Sequence, residues 1–369
     1  MRLLVPPARV LVRAPSWLGD FVACEPVLRA LCERWTTDGC ARMLTFAAPA
    51  PLLALLDGRF TGVRRVPVAR GSDPDLDAWR GHDVALLLDG SWRSAWAAFR
   101  AGIPQRAAWA SGGRAPLTTF AVSPALERGR VPLGLGVHGR DARRLPRPFA
   151  AACVELAGLL GLDVRDRVPR LEPDADALVR AAQRLRARGI DPDARFALVN
   201  AGGRNGSAKT ADPDVLARVG RLSALPLVLV CGPGEESNAR ATLARLSGTS
   251  AVLLDDPVPH LPELLALLAL ASACITADSG PRHLAQALSK PVTVLYGPTD
   301  PRHSAEHAPN IRGLRAEIAC GPCHREVCPL FGEAERACMR GLAFADAGPE
   351  RERSGYSRSQ PASTPWRST

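Results

Sequence analysis

Short apolar runs bounded by Gly, Pro, Asp and Ser recur along the chain. They alternate with longer segments whose apolar residues repeat roughly every three to four positions. In the first half the runs predict strands at 9–14, 43–47, 63–68 and 84–88. A helix follows the first strand after the loop Pro15-Ser16-Trp17-Leu18-Gly19-Asp20 and runs to about Trp35. Val22, Val27, Leu28 and Leu31 line one face, and Pro26 is tolerable only near the first turn. In the second half the same rhythm predicts strands at 196–200, 227–231, 252–254, 273–276 and 292–296, with helices at 175–188, 212–222, after Glu236, in the leucine-rich stretch and from Pro281. Strand, helix, strand repeated in this way is an α/β pattern with parallel sheets. Residues 111–148 have weak periodicity and much Gly, Pro and Arg, so a long loop of the first domain is expected there. A helix near 149–160 follows, and 163–174, with its prolines and alternating charge, reads as the interdomain linker. The expected organisation is one domain over 1–173, a second over 174–345, and a disordered Arg/Ser/Pro/Glu-rich tail over 346–369.

Polar residues collect where these strands end, which is the edge of an open α/β sheet that binds ligands. After the strand at 273–276 come Asp278, Ser279 and Gly280, then Pro281 at a first helical position and His283 in the opening turn. The first amides of that helix suit a phosphate. A second polar turn, Gly297-Pro298-Thr299-Asp300, follows the next strand, and Asp89-Gly90-Ser91 ends a strand of the first domain. The loop 201–209 is glycine-rich, includes Gly203 and Asn205, and closes on Lys209; it lacks Walker spacing but makes a plausible phosphate cradle. Glu235 after the strand at 227–231 suits ribose hydroxyls or, equally, the first turn of its own helix. Each of these residues also has a plain reading as a cap or a solvated turn; several of them on one edge favour a site.

Composition narrows the partners. The chain has 369 residues and a formal net charge of +10, nearly all of it arginine, with lysine only at 209 and 290. Aromatics are 5% and acids are interleaved with the arginines, so nucleic-acid binding is not indicated. An anionic small molecule, glycan or lipid surface is. Arg140, Arg143 and Arg144 form a basic cluster suited to an acidic acceptor, or a solvated loop. The longest apolar run, 264–275, is too short for a bilayer, and the N-terminus has no signal-peptide pattern, so a cytoplasmic protein is expected. Of ten cysteines, Cys320, Cys323, Cys328 and Cys338 cluster near His324; a zinc site and reduced structural thiols both fit that spacing.

Taken in order, VLVRAPSWLGDFVACEPVLRAL at 10–31, the loop ending in AK at 208–209, DSGPRHLAQAL at 278–288, YGPTDP at 296–301 and CGPCHREVCP at 320–329 resemble glycosyltransferase family 9, the ADP-heptose:lipopolysaccharide heptosyltransferases, and in the last segment the heptosyltransferase II branch. The resemblance runs from about Arg9 to Leu342. It implies a GT-B fold, two Rossmann-like domains facing each other across a cleft. It further implies an inverting transfer from ADP-heptose with no obligatory cofactor or metal, at the inner face of the inner membrane, as a soluble or peripheral protein. Asp20 would be the general base, Lys209 and the backbone near Ser279 and Gly280 would hold the diphosphate, Asp278 would orient heptose hydroxyls, and His283 would touch phosphate or ribose. Gly203, Asn205 and Glu235 complete the donor set; Gly19, Arg140, Arg143 and Arg144 face an acidic, lipid-linked glycan acceptor. The family's AK is usually followed by one residue and Trp-Pro, whereas this chain has Thr210-Ala211-Asp212-Pro213, which puts the donor preference in question. Rival readings are a family 9 transferase for another donor or glycan, a nucleotide-sugar epimerase, and a non-catalytic sugar-nucleotide binder.

Overall fold

Residues 10–13 are buried on both sides, so this stretch reads as apolar without alternation and sits in the middle of a parallel sheet. In the computed structural model, which describes residues 8–37, 39–110, 113–122, 147–202, 208–303 and 310–342, they form β1 (Val10–Arg13). The first half continues with α1 (Leu18–Ala23), α2 (Glu25–Thr37), β2 (Leu44–Ala48), α3 (Ala50–Leu53), β3 (Arg64–Pro67), α4 (Leu76–Trp79), β4 (Val84–Leu87), α5 (Trp92–Arg100), β5 (Gln105–Trp109), β6 (Phe120–Val122) and α6 (Phe149–Gly158). The second half comprises α7 (Ala175–Ala187), β7 (Ala197–Asn200), α8 (Pro213–Leu222), β8 (Leu227–Val230), α9 (Glu236–Ala244), β9 (Ala251–Leu254), α10 (Leu261–Leu270), β10 (Ala273–Ala277), α11 (Gly280–Ala287), β11 (Val292–Tyr296), β12 (Ile311–Arg315) and α12 (Ala337–Arg340).

Each half builds one six-stranded sheet, ordered β3-β2-β1-β4-β5-β6 and β12-β11-β10-β7-β8-β9. All pairings are parallel. Both orders are the doubly wound Rossmann arrangement, and the chain reverses direction between β1 and β4 and again between β7 and β10. Those two switch points are where such sheets bind ligands. Alternation along the strands feeds separate layers. Val10, Val12, Val84 and Leu86 join a core that runs through α1, α2, α6, α7, α10 and α11 into the second domain. Leu11, Ala85 and Leu87 instead pack beneath α4 and α5.

Several expectations need correction. The helix expected to reach Trp35 is two helices, broken at Cys24, because Pro26 lacks an amide donor and its ring crowds the preceding turn. Pro26 therefore falls at the second position of α2, where it costs little. Strands β5, β6 and β12 were not expected: β5 and β12 carry polar residues, and β6 and β12 lie at sheet edges, where one flank meets solvent. The loop expected over 111–148 thus contains β6, while 123–146, with Arg140, Arg143 and Arg144, lies outside the described residues. The tail expected over 346–369 lies outside them too.

The expected linker is pinned on both sides. Glu25, 1% exposed, accepts from Arg29, Arg59 and the Arg170 amide at 3.2, 2.9 and 2.9 Å. Arg29 also donates to the Val168 carbonyl at 2.9 Å, and the Leu171 amide reaches the Ala287 carbonyl of the second domain at 3.3 Å. A carboxylate buried among two guanidiniums and an amide holds this crossing to the first domain.

Candidate active site

The β7–β10 switch point is built by a hydroxyl and amide network. Asn200, at the end of β7, donates to Thr276 Oγ1 at 3.1 Å and to Ser279 Oγ at 3.2 Å. Ser279 occupies the N-cap of α11 in extended conformation, but its hydroxyl turns back to this network and does not cap the helix. Its own amide is also engaged, by the Ala277 carbonyl at 2.8 Å. Gly280 opens α11, whose first-turn amides lack an acceptor within the helix and carry the positive end of its dipole.

Asp278 stands just before that helix. Its Oδ1 accepts from Arg282 at 2.9 Å and its Oδ2 from the Thr299 hydroxyl at 2.7 Å, so the turns after β10 and β11 are tied through one carboxylate. Arg282 is fully buried and lies beneath the Tyr296 ring at 5.7 Å. Burial works to raise the Asp278 carboxyl, but Arg282, Lys209 and the Thr299 hydroxyl outweigh it and hold it below the usual carboxylate range. His283 is driven the other way: burial first, then Arg282 and Lys209, lower it to about 3 against the pull of Asp278. Its imidazole is neutral near pH 7, so it can offer a phosphate or ribose an N–H but no charge.

Across the seam lies α1 of the first domain, with Asp20 in its opening turn. Burial pushes the Asp20 carboxyl up to about 6, and the Lys209 ammonium of the second domain pulls it down. Asp20, Lys209, Asp278 and His283 thus share one electrostatic field, although they come from both domains. Their loops have physical support. Arg13, buried at the end of β1, pairs with Asp89 after β4 at 3.5 Å and donates to Ser16 at 2.9 Å, bracing the loop before Asp20. The Ala208 amide beside Lys209 donates to the Glu326 carbonyl at 2.7 Å, and the His324 amide donates to the Pro298 carbonyl at 2.8 Å. The cysteine-rich segment thereby backs both second-domain loops. Where the family would have Trp-Pro, Asp212 caps α8 through the Asp214 amide at 2.9 Å and Ala211 is fully buried.

The domains touch through two glycines. A Cβ on Gly19 would stand 2.7 Å from His283 Cδ2, and one on Gly280 would stand 2.6 Å from Leu18 Cδ2 and 3.0 Å from its Cβ. Gly19, expected on the acceptor side, is placed against His283, where its first role is steric. Gly280→Val is expected to part this seam, lowering turnover at least about tenfold, and Leu18→Ala in the same chain should restore much of it. A Gly280→Val enzyme as active as wild type would show the contact to be unimportant.

The remaining expected residues divide. Glu235 accepts from the Gly232 amide at 2.8 Å, and a Cβ on Gly202 would fall 1.9 Å from its Oε2. That oxygen closes the Gly232–Glu235 turn before α9; Glu235 stands at the N-cap of α9 but makes no side-chain cap hydrogen bond, so the capping alternative is not what this oxygen does. Gly203 and Asn205 lie outside the described residues. Cys320 is exposed, Cys323 and Cys328 are half-buried and Cys338 is buried; all four thiols are free, and among the described residues no group of His, Cys, Asp or Glu is arranged to hold a metal. Cys338 packs instead near Gly297, whose added Cβ would lie 3.4 Å from its sulfur. No helix of the described residues is long and apolar enough to cross a membrane. Arg282, Asn200 and Arg13 were not singled out in the sequence, and Thr299 was marked only as a member of the polar turn 297–300. Only Arg282 carried a local signal, its spacing of four from Asp278 on a helix.

The family model described as glycosyltransferase family 9 (heptosyltransferase) matches residues 214–332. Lipopolysaccharide heptosyltransferase 1 of Pseudomonas aeruginosa is 33% identical over 97 residues, 26% of this chain and 26% of that protein. Lipooligosaccharide heptosyltransferase 2 of Haemophilus ducreyi is 24% identical over 323 residues, 80% of this chain and 85% of its own length. Among solved structures, the ADP-heptose lipopolysaccharide heptosyltransferase II of E. coli shares the fold at a TM-score of 0.63 and 21% identity, over 84% of this chain and 91% of that one.

Proposed function

We propose that this glycosyltransferase, a family 9 heptosyltransferase-like protein, moves heptose from ADP-heptose to a hydroxyl of a lipopolysaccharide inner-core acceptor with inversion at the anomeric carbon. One observation carries the reading. A carboxylate on the first domain, Asp20, has its pKa raised to about 6 and lies in the field of Lys209 on the second domain, at the seam where α1 meets the start of α11. A base poised about one unit below neutral pH is mostly ionised yet still takes a proton well.

In the proposed step, Asp20 accepts the proton of the acceptor hydroxyl while its oxygen bonds to the anomeric carbon. The bond from that carbon to the ADP oxygen breaks, and its electron pair leaves with the diphosphate. Lys209 supplies a point charge to the departing phosphate, and the Gly280 amide adds a donor on the helix axis. Asp278, both oxygens already bonded, fixes Arg282 and the Thr299 turn and retains lone pairs for sugar hydroxyls. His283 offers a neutral N–H to phosphate or ribose. Gly203, Asn205 and Glu235 are the further proposed donor contacts, and Arg140, Arg143 and Arg144 the acceptor contacts for an acidic, lipid-linked glycan. The names of the relatives supply the donor and acceptor classes.

The test is ADP release and product formation by purified protein with ADP-heptose and a lipid A–Kdo–heptose acceptor, run beside a panel of other nucleotide sugars. Turnover with ADP-heptose alone supports the reading. Binding of ADP-heptose without turnover, or turnover only with another donor, replaces the stated donor–acceptor pair.

A further inference from the structure

α5 is amphipathic in the wrong sense for a surface helix. Its inward face is Ser94, Ala95, Ala97 and Ala98, all buried, and every exposed position from 92 to 100 is Trp, Phe or Arg. Trp92, Trp96 and Phe99 are 48%, 40% and 47% exposed. They stack in a row along the helix, with centroids 5.5 and 5.7 Å apart and planes within 19° and 21°. The Arg106 guanidinium closes the row at 5.4 Å from the Phe99 ring. Arg93 and Arg100 flank it, and the helix has no acidic residue. Single exposed apolar side chains need no explanation; a continuous aromatic ridge bordered by arginines does.

We infer that this ridge is a docking surface for an anionic phospholipid bilayer. Charge complementarity chooses the partner: indole and phenyl rings settle at the headgroup–acyl boundary, and guanidiniums beside them pair with lipid phosphates. The ridge also starts in the right place. Trp92 opens α5 just after the Asp89 turn, and Arg93 reaches Asp73 at 3.7 Å. Asp73 belongs to the same loop as Arg70, which lies 3.5 Å above the exposed Trp17 ring. Trp17 is the N-cap of the helix that carries Asp20. Aromatic and arginine side chains therefore continue from α5 along the carboxyl edge of the first sheet to the loop of the proposed base. The inference deepens the reading above, because a lipid-linked acceptor lies in a bilayer, but its test needs neither donor nor acceptor.

The experiment is co-sedimentation of the purified full chain with phosphatidylethanolamine vesicles with and without phosphatidylglycerol, together with quenching of tryptophan emission by brominated acyl chains. Wild type should bind only the phosphatidylglycerol vesicles and be quenched. Trp96→Ser with Phe99→Ser should weaken binding at least about tenfold, as should Arg93→Gln with Arg100→Gln. Trp92→Phe with Trp96→Phe should keep binding but lose most of the quenching, which guards against a loss that only reports misfolding. Turnover of the serine variant on a delipidated, soluble acceptor should equal wild type. The inference is overturned if wild type ignores anionic vesicles, or if the serine or the glutamine variant binds as well as wild type. It is equally overturned if the serine variant loses turnover on the soluble acceptor, which would make the ridge a sugar-stacking platform, or if it abolishes a dimer, which would make it a contact between copies.

Discussion

Asp20→Asn is expected to lower turnover by about 10²–10⁴-fold while leaving ADP-heptose affinity nearly unchanged, because asparagine keeps the shape of the loop but cannot accept the acceptor's proton. The pH profile gives the sharper test. A base must be ionised to act, so kcat/KM of wild type should rise with pH and level off, with a midpoint at about 6. Burial sets that midpoint above the ordinary carboxylate value, and Lys209 opposes it. Removing the ammonium in Lys209→Met takes away the influence that favours the carboxylate, so the midpoint should move towards alkaline pH as well as the rate falling. A rate through leaving-group stabilisation alone would fall without any shift. Asp20→Asn with near wild-type turnover, or a wild-type profile flat from about pH 5 to about pH 8, would remove Asp20 from the role of base.

These effects depend on a pairing that the sequence shows only in halves. The strand–turn–helix at 273–288 was legible because a β-branched strand end, an Asp-Ser-Gly turn and a proline at a first helical position agree with one another, and the structure has β10, the turn and α11 in that order. The doubly wound character was legible from the βαβ rhythm. The strands that escaped, β5, β6 and β12, carry polar residues or lie at edges, where half of the burial that marks a strand is absent. Pro26 was seen as a constraint but not as a break, since a helix interrupted by a single residue keeps the same apolar face.

The site divides along the same line. Asp20, Lys209 and His283 are each visible as polar residues at strand ends, but their mutual field comes from two domains more than 180 residues apart in sequence, as the numbers 20 and 209 show. The Asn200–Thr276–Ser279 network and the Arg13–Asp89 pair are also non-local. An arginine in the middle of VLVRA reads as strand, and nothing nearby announces its partner. The glycines at the seam are legible only as turn residues; that Gly280 makes room for Leu18 depends on the docking of the domains.

Arg282→Met should be the most destabilising single change near the site. Arg282 is 0% exposed and Asp278 11%, so removing the guanidinium leaves a carboxylate buried without its nearest cation. Stranding one member of such a pair typically costs about 3–5 kcal/mol. The sign of the pH dependence identifies the cause. In wild type the folded Asp278 carboxyl sits below its ordinary value of 3.8, so its contribution is present above that value and is lost as pH falls through the depressed one. In Arg282→Met the burial that raises this carboxyl persists while its strongest opponent is gone. Folding then takes up a proton, and the variant should regain stability as pH falls from neutral towards about 4. Urea unfolding across that range is the measurement. Arg282→Met with Asp278→Leu should recover most of the loss at neutral pH, because an apolar pair of similar volume leaves no stranded charge. A single variant as stable as wild type, or one whose deficit is the same at acid and neutral pH, would show that the buried ion pair does not hold these two turns together.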